Sequence, residues 1–128
     1  MASSLATLSS PDPGESAVIG KAVMRAADLL GLRNAALASI VGLSEASVSR
    51  LKTGGFVLDP GSKPFELAVL LIRLFRGLDA IVGGDSIALR SWMTTENTAL
   101  QATPATLIRT IPGLVQAVQY VDHRRARL

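Results

Sequence analysis

Apolar residues recur at three- and four-residue intervals along most of the chain, and no stretch alternates in the two-residue rhythm of a half-buried strand. Ile19, Ala22, Val23, Ala26 and Leu30 form one such stripe and predict a helix over about 17–30, ended by Gly31. Asn34 is placed to cap a second helix, "AALASIV", which Gly42 stops, and Ser44 to cap a third, "EASVSRLK". "TGGFVLDPGSKP" then breaks the pattern. Beyond it, Ser62 and Pro64 open a long helix with Leu67, Leu71, Leu74, Leu78 and Ile81 on one face and Ala68, Ile72 and Phe75 widening it. Only Glu66, Arg73, Arg76 and Ala80 make a wet strip, so this helix must be covered on most sides, by the core or by a second copy.

Gly83 and Gly84 end the long helix. Asp85 caps a short one carrying Ile87, Leu89 and Trp92; Thr103-Pro104 reads as a cap with proline at the first helical position; and Pro112-Gly113 opens a last helix with Leu114, Val118 and Val121 inward. Residues 1–16 are rich in Ser, Ala and Pro without periodicity and read as a flexible tail. The prediction is an all-α protein: a tail (1–16), an N-terminal lobe (17–57), and a long apolar helix leading into a small C-terminal helical domain (58–128).

The stretch "LASIVGLSEASVSRLKTG" (37–54) poses the functional question: an αα-hairpin that binds nothing, or a helix-turn-helix that reads DNA. A DNA-reading pair needs a small residue at the close helix crossing, here Ala38, and a residue tolerant of a left-handed turn four positions on, here Gly42. Six positions further it needs an aliphatic lock, here Val48. Leu37, Val41, Leu43 and Leu51 complete an apolar set, while Glu45, Ala46, Ser47, Ser49, Arg50 and Lys52 face outward. Short polar side chains with cations at the far end suit entry into a major groove. Spacing, cap, apolar set and polar face agree on a helix-turn-helix.

Composition narrows the rest. Hydrophobic content is 48% and aromatic content 4%, which suits helices packed through small aliphatic side chains. Net charge is +3, mildly basic, with Arg109, Arg124, Arg125 and Arg127 set against Glu96 and Asp122 in the last quarter of the chain. There is no cysteine and a single histidine, His123, which leaves no thiolate or multi-histidine metal site. No serine has a histidine pair of the catalytic kind and no glycine-rich phosphate loop follows a strand, so no enzyme activity, cofactor, metal or small-molecule substrate is expected. "FELAVLLIRLFRGLDAIVGG" is interrupted by Arg73, Arg76 and Asp79, short of the roughly 18 residues of a membrane span. With no secretory signal visible, a soluble cytoplasmic protein without membrane contact is expected.

Residues 37–54 follow the pattern LAxxxGxSxxxVSRxxxG and so resemble the Xre-type, repressor-like helix-turn-helix. That resemblance implies operator binding as a homodimer. It puts Ser44, Glu45, Ser47 and Arg50 at positions facing bases, with Ser49 on the same outer face, and Arg33, Asn34, Lys52 and Thr53 at phosphates. Arg50 is the candidate for a bidentate guanine contact; Glu45 either accepts from a cytosine amino group or simply favours the helix N-terminus.

"LIRLFRGLDAIVGGD", "SWM", Pro104 and "TIPGLVQAVQYVDHRR", in that order, resemble the toxin-binding domain of the Xre/MbcA/ParS antitoxin family. Members commonly carry a glycine pair before the proline, where this chain has "LQATP". The resemblance implies a type II antitoxin whose partner is a RES-domain toxin consuming NAD⁺, and whose C-terminal segment covers the toxin's active-site entrance. Tyr120, His123, Arg124, Arg125, Arg127 and Leu128 would then meet the toxin, the arginines at acidic rim residues and the terminal carboxylate at basic ones. Plainer roles stand beside these: His123 as a helix-end residue, Tyr120 as the edge of the apolar face, Trp92 as core, and "RRAR" as a solvated end or a non-specific phosphate grip. The alternative function is a stand-alone dimeric repressor whose second half only dimerises.

Overall fold

The computed structural model describes residues 13–127. The first twelve residues of the expected tail, and Leu128, lie outside the described residues. Among the described residues there are seven helices and no strand: α1 (Pro13–Leu30), α2 (Asn34–Val41), α3 (Glu45–Thr53), α4 (Lys63–Ile81), α5 (Ser86–Thr94), α6 (Pro104–Leu107) and α7 (Ile111–Arg125). The all-α class expected from the pattern is what the structure has.

α4 sits at the centre. It packs against α7, α1 and α2; α1 also meets α5 and α3, and α6 bridges α5 and α7. Ala68, Leu71 and Leu74 are fully shielded from solvent and Leu78 nearly so, while Glu66, Arg73, Arg76 and Ala80 stay exposed as the wet strip required. Each fully buried leucine contributes about 1.5–3 kcal/mol of hydrophobic stabilisation. One contiguous core runs from Val23 and Leu30 in α1, through α2 and α4, to Leu114 and Val121 in α7.

Several local expectations are corrected. α1 starts at Pro13 rather than near Ala17, because a proline at the helix start and Glu15 in the first turn favour a helix that the apolar stripe does not signal. Asn34 does not cap α2: the N-cap is Arg33, in extended conformation and without a side-chain cap bond, and Asn34 is already helical. Thr103 precedes α6 likewise without a side-chain cap bond, and α6 is a single turn. Ile87, expected on an apolar face of α5, is 81% exposed; Leu89 and Met93 are the residues that α5 buries, with Trp92 only half-buried against the core. The caps at Ser44, Ser62 and Asp85 do form, and so does one at Thr110, whose hydroxyl accepts from the Gly113 N–H.

The "LQATP" loop closes on itself. Asn97 and Ala102 exchange backbone hydrogen bonds of 3.0 and 3.3 Å, and Asn97 Oδ1 accepts from the Leu100 N–H. Gln101 takes a positive φ of 56°, the conformation that a glycine would adopt without steric cost. A non-glycine residue there costs about 1–2 kcal/mol. Gln101→Gly is therefore expected to raise stability by up to about 1 kcal/mol after the added freedom of the unfolded chain is counted, as measured by urea denaturation.

α4 and α7 cross where Gly77 faces Val121. A Cβ on Gly77 would run into Val121 Cγ1, whereas Val121 Cβ lies at 3.7 Å, an ordinary contact distance. Gly77→Ala should cost about 1–3 kcal/mol through overpacking. Introduced into a Val121→Ala background, the same change should be neutral or stabilising, since the obstructing methyl is gone and alanine is the better helix former. Equal effects in both backgrounds, measured by denaturant titration, would disprove the close crossing.

Candidate nucleic-acid and partner-binding sites

The α2–α3 pair meets the demands of a helix-turn-helix one residue at a time. Gly42 adopts φ 74°, and the Gly42 and Leu43 N–H groups both donate to Ala38 O, at 2.9 and 3.0 Å. This tight turn lets α3 cross α2 at Ala38, and Val48 is wholly buried beneath it. Leu37, Ala38, Ile40 and Val41 are buried with it, while Leu43 and Leu51 are half-buried at the edge. Ser44 Oγ accepts from the Ser47 N–H at 3.0 Å, fixing where α3 begins.

Ser44, Glu45, Ser49, Arg50, Lys52 and Thr53 are exposed. Ser47 is half-buried instead, held by its 3.0 Å hydrogen bond with Ser44 Oγ; Arg50 Nη2 lies 3.4 Å from its hydroxyl, a weak contact. Thr53 Oγ1 donates to Arg50 O at 3.2 Å, so in this conformation its proton is engaged within α3. Arg33, Asn34 and Lys52 come together around one cleft of about 360 Å³, with Asp28 on its α1 wall. Arg33 and Asn34 stand at the start of α2, where backbone N–H groups and the helix dipole favour an anion. Three of the four residues expected at phosphates thus line one cleft, and Thr53 lines the neighbouring depression together with Lys52.

The C-terminal set divides. Arg124 Nη1 donates to Tyr120 Oη at 2.8 Å, with its guanidinium 5.8 Å from the ring centroid. Arg127 Nη2 donates to His123 Nε2 at 2.9 Å, which requires that nitrogen to carry a lone pair. These four side chains share one flank of α7. Arg125 lies on the other, beside Arg73 and Arg76 of α4. A further contact had no signal in the pattern: Arg90 of α5 donates to Asp28 O at 3.1 Å and reaches Leu29 O at 3.4 Å. A cation thereby sits on the last carbonyls of α1 and ties the two halves of the chain together. Arg73 Nη2 and Asp122 Oδ2, 2.6 Å apart, make a second cross-link, between α4 and α7.

No group of three or more potential metal ligands occurs among the described residues, and no described helix is long and apolar enough to cross a membrane.

Residues 12–73 match the family model of the antitoxin Xre-like helix-turn-helix domain, and residues 77–127 match that of the antitoxin Xre/MbcA/ParS C-terminal toxin-binding domain. No curated protein matches the chain.

The cap at Ser44 sets the start of α3 and can be weighed directly. Ser44→Ala should lower stability by about 1 kcal/mol, seen as an earlier urea midpoint with an unchanged slope.

Proposed function

Because the chain belongs to the Xre/MbcA/ParS-type antitoxins, joining an Xre-like helix-turn-helix domain to a C-terminal toxin-binding domain, we propose how its two halves divide the work. The C-terminal domain neutralises a RES-domain, NAD⁺-consuming toxin by laying the segment from Tyr120 to Leu128 over the entrance to its active site. The N-terminal lobe, as a homodimer in the cytoplasm, binds operator DNA and represses the operon that encodes both proteins. Lobe 17–57 carries the DNA contacts and region 58–128 carries dimerisation and toxin binding.

The observation that carries this proposal is the outward face of α3 on a rigidly held turn, in the same chain as a toxin-binding domain ending in exposed arginines. Arg50, in the last turn of α3, is the side chain we assign to a base edge, with Ser44, Glu45, Ser47 and Ser49 on the same helix around it. Arg33, Asn34 and Lys52 form a cation-rich group suited to the adjacent phosphates. A duplex needs two such helices about one turn of DNA apart, which a two-fold dimer supplies. At the other end, Arg124 and Arg127 are each held against a side chain four residues earlier, Tyr120 and His123, so less conformational freedom is lost when they meet carboxylates on a toxin rim. Family members of this kind are not enzymes, and the chain acts here by occlusion, without cofactor.

Co-purification with the product of the adjacent gene, followed by an NAD⁺-consumption assay, tests the proposal. A stable complex with suppressed NAD⁺ loss is expected. A discrete DNA footprint with no complex would leave a stand-alone repressor. Arg50→Ala should lose about 1–3 kcal/mol of operator discrimination and still bind the toxin, whereas deletion of residues 123–128 should do the reverse. Equal damage to both activities by both changes would refute the division of labour.

A further inference from the structure

α4 leaves Arg73 and Arg76 outside the core, one turn apart on the same face. They border a cleft of about 410 Å³ whose other walls are Ile19 of α1, Val69 and Ile72 of α4, and Asp122 and Arg125 of α7. The charges in it do not balance. Arg73 is paired with Asp122, but Arg76 and Arg125 have neither an ion pair nor a side-chain hydrogen bond among the described residues. Two guanidiniums therefore share a cleft with one carboxylate already engaged, and an anion entering it would relieve their mutual repulsion. Between them lies aliphatic surface: Val69 is 39% exposed, and Ile19 and Ile72 are half-buried. The lining holds no aromatic ring on which a base could stack.

The cleft shares no lining residue with the two depressions that α1 forms with α2 and α3.

We propose that this cleft is a second docking site for the toxin and receives an acidic segment of it, carboxylates meeting Arg76 and Arg125 and an aliphatic side chain lying on Val69 and Ile72. The proposal rests on the antitoxin function above. It extends the toxin contact from the C-terminal segment onto α1 and α4, and Asp122 and Arg125 make the new surface continuous with the last helix of the toxin-binding domain. The Arg73–Asp122 ion pair acts as a positioning element, holding the α4 and α7 walls in register. None of the cleft's residues is among those assigned above to DNA, so operator binding does not draw on the cleft.

The test uses the full-length chain and the toxin encoded beside it, with affinity measured calorimetrically at low and high salt for the wild type, R76Q/R125Q and R76K/R125K. Both arginines are exposed, so neither change removes core packing; R76Q alone is measured beside them, because Arg125 also belongs to the C-terminal segment assigned to the toxin above and a loss in R76Q reports on the cleft by itself. The glutamine variant should lose about tenfold or more in toxin affinity together with much of the salt dependence, as for charge pairs at an interface. The lysine variant should keep most of the affinity, and operator binding should be unchanged in both. Wild-type affinity in R76Q/R125Q would overturn the cleft while leaving the antitoxin function intact. If the wild-type chain does not bind the toxin at all, the antitoxin function and the cleft fail together. Thermal stabilisation of the wild type by inorganic pyrophosphate, absent in R76Q/R125Q and with toxin affinity unaffected, would make this a small-anion site and overturn the proposal.

Discussion

α4 is apolar around most of its circumference, and a helix of that kind cannot stand in water on any but a narrow strip. Three of the other six described helices pack directly on it. α1 and α2 cover it from the N-terminal side and α7 from the C-terminal side, with the closest approach at Gly77, where the side chain of Val121 occupies the space a Cβ would need. Protein interiors packed at crystalline density transmit displacement instead of absorbing it. The spatial relation between the helix-turn-helix and the final helix is therefore set by a single shared core and not by a linker.

That arrangement bears on function at both ends. α3 makes few core contacts of its own; its position follows from Val48 beneath it, the left-handed turn at Gly42 and the cap at Ser44. Its outer face is thereby left to short polar side chains and two cations whose geometry the turn has already determined. α7 is held along its whole buried face by Leu114, Ala117, Val118 and Val121, so the exposed arginines at its end project from a rigid helix. Arg90 on the last carbonyls of α1, and Arg73 against Asp122, add polar links across the same core. Being solvent-exposed, such pairs contribute little to stability, about 0–1 kcal/mol for the ion pair; their effect is on direction.

The division of the C-terminal cations follows from helix geometry. Tyr120, His123, Arg124 and Arg127 recur at three- and four-residue intervals on one flank, and each arginine there is steadied by a partner one turn earlier. Arg125 falls on the opposite flank with Asp122, next to α4. A run written "HRRAR" thus becomes two surfaces with different neighbours, and a contact made by one does not engage the other.

The periodic apolar pattern by itself determined the all-α class, the order of the main helices, the wet strip of α4, and the caps at Ser44, Ser62 and Asp85, because those features depend on residues a few positions apart; that the core of the same chain covers α4 was left to the tertiary structure. The spacing of Ala38, Gly42 and Val48 was legible for the same reason: a turn and a crossing are local events. What tertiary structure decided is what depends on residues distant in sequence. Whether Ile87 or Met93 is buried was settled by which face of α5 meets α1. Arg90 gave no sequence signal because its acceptors are carbonyls about sixty residues away. The separation of Arg125 from its neighbours, and its meeting with Arg73 and Arg76, required α4 and α7 to be packed together before either charge had a side to face.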